Sequence, residues 1–142
     1  MLNKKLLLAY DGSPYSQEAL TEALEIAKSC KAGAVVVAAV DVTSEFECEA
    51  PGLTEKMEER AGAMLVEVAR RFAEEGISAK TEVHIGEPHE VIVEAAQRHG
   101  VDLIVMGSHG ATGLRRILMG SVTSRVIGHA PCKVLVVPRR AH

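Results

Sequence analysis

Residues 103–124 read LIVMGSHGATGLRRILMGSVTS. The first four, Leu103 to Met106, form a continuous apolar run without the alternation expected of a strand that has one solvated face. A continuous Leu/Ile/Val run predicts a strand covered on both faces, as in a parallel sheet between two helical layers. Further strands are predicted at Leu6 to Tyr10, Ala34 to Val40 and Val134 to Val137, and, with more alternation, at Ala79 to Ile85.

Segments with the period of a helix separate these five strands. The first follows Ser13-Pro14, a cap residue and a first-turn proline, and is expected to end near Gly33. The others are predicted at Leu53 to Glu75, at Pro88 to Arg98, and at Ser121 to Gly128, where Val122, Val126 and Ile127 are expected to pack inward. Ser44 to Gly52 is expected to form a surface loop before the second helix.

The alternation of strands and helices defines the predicted fold class. Right-handed crossovers applied to this order give a single α/β domain over residues 1–142. It is a doubly wound, Rossmann-like domain with a five-stranded parallel sheet and helices on both faces. Such sheets bind ligands at the carboxyl ends of the strands where the winding direction reverses, which here places the site beside strands one and four.

Composition narrows the class of protein. A net charge of −3 and an aromatic content of 3% argue against nucleic acid as a partner, because phosphate attraction and base stacking are both weak. No apolar run approaches the roughly 20 residues that span a membrane. Three dispersed cysteines, Cys30, Cys48 and Cys132, favour a reducing compartment, so a cytoplasmic protein is expected.

The glycines that follow the fourth strand predict a phosphate site. Gly107, Gly110 and Gly113 let a ligand approach the backbone, and Gly120 precedes a helix whose first N–H groups carry partial positive charge. Ser121 and Thr123 offer hydroxyl donors, and His109 could also donate to a phosphate. A plain connection whose glycines serve only turns explains the residues equally well, and neither the P-loop nor the G-x-G-x-x-G spacing is present.

A family resemblance favours the phosphate site. The spacing Gly107-x2-Gly110-x9-Gly120-Ser121 is similar to the ATP-binding pattern G-x2-G-x9-G-[S/T] of the universal stress protein family. Three further stretches resemble that family in the same order: Leu7 to Ser13, Val40 to Val42 and Val134 to Pro138.

The resemblance implies a nucleotide site and a dimer. Asp11 and the backbone of Ala9 would lie by the nucleoside, and the main chain of Val40 would bind the adenine edge. The ribose and phosphates would contact Gly107, Ser108, His109, Gly110, Ala111, Thr112 and Gly113, and the phosphate tail Gly120, Ser121, Val122 and Thr123. Mg²⁺ would be held through the phosphates. The edge strand Lys133 to Pro138 would pair with its copy in a homodimer, as in relatives.

Two other interpretations remain open at this level. One is an enzyme that slowly hydrolyses ATP or transfers its phosphoryl or nucleotidyl group, although no base or P-loop lysine is evident. The other is a dimer that binds no nucleotide, although its glycine pattern would be interrupted. A regulatory ATP-binding module is therefore preferred. His84, His89 and His99 share no ligand spacing, so no metal site is predicted.

Overall fold

The computed structural model describes residues 4–42, 52–110 and 119–139. Its strands are β1 (Lys5–Ala9), β2 (Gly33–Val40), β3 (Ala79–Ile85), β4 (Leu103–Gly107) and β5 (Lys133–Val137). Its helices are α1 (Pro14–Cys30), α2 (Leu53–Glu74), α3 (Pro88–His99) and α4 (Ser121–His129). The predicted order of elements is confirmed. Most of the predicted surface loop, positions 44–51, lies outside the described residues.

The five strands form one parallel sheet in the order β3-β2-β1-β4-β5. The chain winds outward from β1 to β3, then crosses to β4 on the other side of β1. The direction of winding therefore reverses between β1 and β4. This confirms the predicted doubly wound fold and the predicted switch point, where an open α/β sheet leaves a crevice.

Side chains on the two faces of the sheet build two apolar layers. Leu6 and Leu8 point to one face, where α1 and α2 pack, and Leu7 points to the other, where α3 and α4 pack. All three leucines are fully buried. A strand buried on both faces needs no polar alternation, which is why β1 and β4 have continuous apolar sequences.

The start of α1 matches its sequence signals, and its end is set by a residue other than glycine. The hydroxyl oxygen of Ser13 accepts a hydrogen bond of 3.2 Å from the backbone N–H of Ser16, and Pro14 is the first helical residue. The helix ends at Cys30, because Lys31 adopts a left-handed conformation with φ 54°. The helix thus ends near Gly33, as predicted, and Gly33 itself opens β2.

One predicted core residue of α4 is exposed. Val126 is fully buried and Val122 is half-buried, as expected, but 45% of Ile127 is accessible to solvent. Successive residues of a helix are rotated by about 100°, so the residue after Val126 leaves the face that packs on α3. The prediction that Ile127 packs inward was therefore wrong.

Candidate functional site

The candidate site lies where the end of β1 meets the loop after β4. The carboxylate of Asp11 accepts a 2.9 Å hydrogen bond from the backbone N–H of Ser13, which holds it at the turn into α1. The same carboxylate faces Gly110, where an added Cβ atom would lie 3.2 Å from Asp11 Oδ2. Asp11, which the family resemblance places by the nucleoside, and Gly110, which it places by the ribose and phosphates, are thus neighbours.

Gly107 is required by close packing rather than by an unusual backbone conformation. An added Cβ atom would lie 2.7 Å from Tyr15 Cβ and 2.9 Å from the Tyr15 carbonyl carbon, closer than real Cβ contacts. The end of β4 therefore rests directly on the first turn of α1. The space that glycine leaves brings the loop from Ser108 onward against the helix.

Gly120 has a similar reason to be glycine. Its N–H donates a 2.8 Å hydrogen bond to the carbonyl of Ser108, and an added Cβ atom would lie 3.3 Å from His109 Cα. Its φ of −70° suits any residue. The start of α4 is therefore held against residues 108–110 by backbone contact, and a larger side chain would push the two segments apart.

The N-terminus of α4 supplies anion-binding groups. Gly120 is the N-cap, and the first intrahelical bond runs from Ser124 N–H to its carbonyl, so the N–H groups of residues 121–123 precede the helical ladder. Within the described residues, no side chain forms a hydrogen bond that caps this end. The first turn reads Ser-Val-Thr-Ser and carries no acid. Such an end favours phosphate, because N–H donors and the helix dipole act together.

The two hydroxyls predicted to bind phosphate have different positions. Ser121 is exposed at the first position of the helix, whereas Thr123 is buried with 1% of its surface accessible. The Thr123 hydroxyl donates a 2.9 Å hydrogen bond to the carbonyl of Gly107. The expectation that this hydroxyl donates to phosphate was therefore wrong, since its one proton already serves the joint between β4 and α4.

His109 lies beside an aromatic residue that sequence analysis missed. Its ring centroid is 5.0 Å from that of Tyr15, at an interplanar angle of 48°, and its Nδ1 is 3.0 Å from the hydroxyl oxygen of buried Ser108. Tyr15 thus contacts both Gly107 and His109. The sequence did carry a signal for Tyr15, because this residue directly follows the Ser13-Pro14 cap and so lies in the first turn of the helix after β1.

The structure describes two of the remaining predicted site residues, Ala9 and Val40, but not the other three. Ala9, at the end of β1, is 9% accessible, and Val40 extends three residues beyond the β2 position paired with Ala9. The Val40 carbonyl accepts a 3.0 Å hydrogen bond from Gly86 N–H. Ala111, Thr112 and Gly113 lie outside the described residues, so their predicted roles stay predictions.

A separate groove of about 690 Å³ runs between α1 and α2. The residues that line it include Tyr10, Leu20, Met64, Arg71 and Arg139. Burial raises the pKa of the Tyr10 phenol, and nearby Arg71 partly offsets the rise. Among the predicted site residues that the structure describes, none lines this groove, so the groove is distinct from the candidate site.

Two of the histidines for which the sequence predicts no metal site share a carboxylate. His84 Nε2 lies 2.8 Å from Glu82 Oε1, His99 Nε2 lies 2.6 Å from Glu82 Oε2, and Arg98 also contacts Glu82. Burial raises the pKa of Glu82, but these hydrogen bonds outweigh it and lower the pKa to about 2. The cluster ties the edge strand β3 to the end of α3, away from the switch point.

Comparison with known proteins decides the family. Residues 2–138 match the model of the Universal stress protein family. The chain belongs to this family. Universal stress protein MJ0531 of Methanocaldococcus jannaschii is 41% identical over 142 residues, which cover 97% of this chain and 84% of that relative.

Solved structures of universal stress proteins share the fold. The structure of protein MJ0577 superposes with a TM-score of 0.89 at 33% identity, with 100% of both chains covered. A universal stress protein in complex with cAMP gives a TM-score of 0.77 at 25% identity, covering 99% of this chain and 100% of that one. In the part of this universal stress protein that the structure describes, no helix is long and apolar enough to cross a membrane.

Proposed function

We propose that this universal stress protein binds ATP at the carboxyl edge of β1 and β4 and acts as a regulatory module in the cytoplasm. The observation that carries the proposal is the N-terminus of α4. Its first N–H groups have no side-chain cap among the described residues, and backbone contacts hold it beside residues 108–110. This arrangement offers several donors to a chain of phosphates.

Two observations support the proposed place of the adenine: the positions of the residues around it and the ligand of a relative. Asp11 lies across from Gly110, and Val40 extends past the end of β1, so a nucleoside beside them would direct its phosphates toward Ser121. A structural relative of the same family was solved in complex with cAMP, another adenine nucleotide. Thr123 contributes its backbone N–H rather than its hydroxyl, which already donates to Gly107.

In this proposal, Mg²⁺ is held by phosphate oxygens and not by a protein cage. The Oδ1 atom of Asp11 accepts a hydrogen bond from Ser13 N–H, which holds this carboxylate at the turn, and one carboxylate does not make a protein cage for an ion. Mg²⁺ commonly keeps its waters and binds through phosphates with one or two carboxylates. The residues present therefore fit a nucleotide-bound ion.

Regulation is preferred to catalysis because the described residues offer little chemistry beyond binding. Phosphoryl transfer needs a positioned base and a cation that neutralises the developing charge. His109 is the one titratable side chain in the described part of the glycine loop, and its Nδ1 already pairs with Ser108. A slow ATPase is the second candidate, and His109→Ala would then abolish turnover while leaving affinity nearly unchanged.

The deciding experiment compares two glycine variants by titration calorimetry with Mg·ATP. Gly120→Val places a branched side chain whose Cβ atom would lie 3.3 Å from His109 Cα, so we expect it to displace the helix N-terminus from the loop. We expect at least a tenfold loss of affinity, the equivalent of one hydrogen bond to a charged group at about 1.5–3 kcal/mol. Gly128→Val, whose Cβ meets nothing within 4 Å, is the control and should bind normally.

Circular dichroism on both variants checks that the fold is retained. Unchanged affinity in a folded Gly120→Val variant would refute the phosphate site. Mass spectrometry of the purified wild-type protein gives an independent test, because a carried adenine nucleotide near one per chain identifies the ligand directly.

A further inference from the structure

A group of potential metal ligands surrounds the first turn of α3. Glu87 is the N-cap of this helix, and His89 and Glu90 follow in its first turn. One ligand atom from each of the three residues lies within 4.8 Å of the other two. Glu87 and Glu90 are exposed, whereas only 16% of the His89 side chain is accessible. A partly buried imidazole thus stands between two carboxylates that can turn toward it.

A second histidine reaches this group from another helix. His129 ends α4, and its ring centroid lies 6.1 Å from that of His89. Its Nδ1 is 2.8 Å from the carbonyl oxygen of Arg125, which can only accept, so Nδ1 carries the proton. The lone pair of the neutral ring is therefore on Nε2. Metal-binding histidines are commonly oriented in this way, with one ring nitrogen donating to a carbonyl.

The donor set suits Zn²⁺. Two imidazoles and two carboxylates match a four-coordinate site, with Zn–N and Zn–O distances of about 2.0–2.2 Å. Ligand atoms around such an ion lie roughly 3–4 Å apart, so the 4.8 Å spread of Glu87, His89 and Glu90 requires only small rotations of the exposed glutamates. His129 lies outside that spread, and its exposed ring, 6.1 Å from the His89 ring between centroids, must turn toward the group to complete the set. The partial negative charge at the C-terminus of α4 favours a cation, whereas the partial positive charge at the N-terminus of α3 disfavours one. The charges of Glu87 and Glu90 outweigh that opposition.

We propose that Glu87, His89, Glu90 and His129 form a Zn²⁺ site that joins the start of α3 to the end of α4. The ion would fasten two helices that pack on the same face of the sheet. Helix α4 also begins at the candidate nucleotide site, and the segment before α3 contacts Val40 at its margin. Residue 86, two positions before α3, bonds to Val40, and α4 begins at Ser121. The zinc site itself does not depend on nucleotide binding.

The cluster at Glu82 provides the comparison within the same chain. It also brings two imidazoles to a carboxylate, but the guanidinium of Arg98 contacts that carboxylate. A fixed positive charge in contact with the carboxylate repels a divalent cation and so disfavours its binding there. The structure therefore assigns zinc to the α3–α4 group, and His84 is a matched control for His89 and His129.

The test is calorimetric titration of ZnCl₂ into untagged, nucleotide-free protein, with thermal unfolding as a second readout. We expect one Zn²⁺ per chain and a rise in Tm of about 5–10 °C when free zinc exceeds its Kd by about 100-fold. His89→Gln and His129→Gln should each raise the Kd at least tenfold. The double variant Glu87→Gln/Glu90→Gln changes only exposed side chains and should do the same, whereas His84→Gln should bind as the wild type does.

Three results would overturn the proposal. They are the absence of saturable binding by the wild-type protein, an unchanged Kd in the folded His129→Gln and glutamate variants, and a loss of binding in His84→Gln instead. Circular dichroism without zinc separates a lost ligand from a lost fold. Since His129 and both glutamates are exposed, the test stands even if His89→Gln unfolds.

Discussion

The hydroxyl of Thr123 donates a 2.9 Å hydrogen bond to the carbonyl oxygen of Gly107, which joins the first turn of α4 to the last residue of β4. Thr123 is 1% accessible, so water cannot replace it as the donor. The candidate phosphate-binding helix is therefore positioned by a buried polar contact with the sheet.

Replacement of Thr123 by Val should weaken both the fold and the site. The change keeps the shape but leaves the Gly107 carbonyl without its donor, a loss of about 1–3 kcal/mol in the free energy of unfolding. Urea denaturation measures the loss. Thr123→Ser, which keeps the hydroxyl, should recover most of it, and equal stability of the Val and Ser variants would contradict the role of the hydrogen bond.

Replacement of Gly107 by Ala should destabilise the protein by overpacking. The new Cβ atom would lie 2.7 Å from Tyr15 Cβ, so β4 or α1 must shift, at about 1–3 kcal/mol in unfolding free energy. Gly128→Ala is the matched control, because its Cβ meets nothing within 4 Å. That variant should gain up to about 1 kcal/mol from helix propensity. Urea denaturation measures the free energy of unfolding of both variants. An equal change in Gly107→Ala and Gly128→Ala would refute the packing argument.

Replacement of Glu82 by Gln should change how stability depends on pH. Folding lowers the pKa of Glu82 from its usual 4.5 to about 2, so its charge stabilises the fold fully above pH 4.5. The contribution is lost as the pH falls from there toward 2. At about pH 7 the variant should lose at most about 3 kcal/mol, and the difference from wild type should shrink below about pH 4.

Urea denaturation at a series of pH values provides the comparison for Glu82. Glu94→Gln removes an exposed carboxylate of α3 and should leave the profile nearly unchanged. A Glu82→Gln deficit that stays constant down to about pH 3 would show that lost packing, and not charge, is responsible.

The dimer expected through β5 is best tested at a residue that lies outside both core layers. Leu135 and Val137 both pack in the core layer of α1 and α2, so lysine at either would test folding as well as assembly. Val136 is half-buried and belongs to neither core layer. Val136→Lys should give monomers in analytical ultracentrifugation by charging the edge strand.

The control for assembly is Val66→Lys, since Val66 is 63% accessible and lies on α2, which packs against β2 and β3. This variant should remain dimeric. A wild-type protein that sediments as a monomer at high micromolar concentration would refute the pairing of β5 strands.

The sequence by itself determined the fold and the general position of the site. Continuous apolar runs identified β1, β2 and β4 as strands covered on both faces. The helical periods between the strands predicted crossover helices and therefore a doubly wound parallel sheet. The glycine spacing and Ser13-Pro14 were equally informative, because turns and caps depend on neighbouring residues. Turn residues, caps and hydrophobic periodicity involve residues close together in the chain, so the sequence alone is enough to predict them.

Only the tertiary structure decided what individual side chains contact. Thr123 and Ser121 look alike as hydroxyls near a helix start, yet the fold buries one against Gly107 and exposes the other. Tyr15 is separated from Gly107 by 92 positions, and His89 from His129 by 40, so no local pattern could pair them. Such contacts depend on how helices cross the sheet, and that geometry is set by packing of the whole chain.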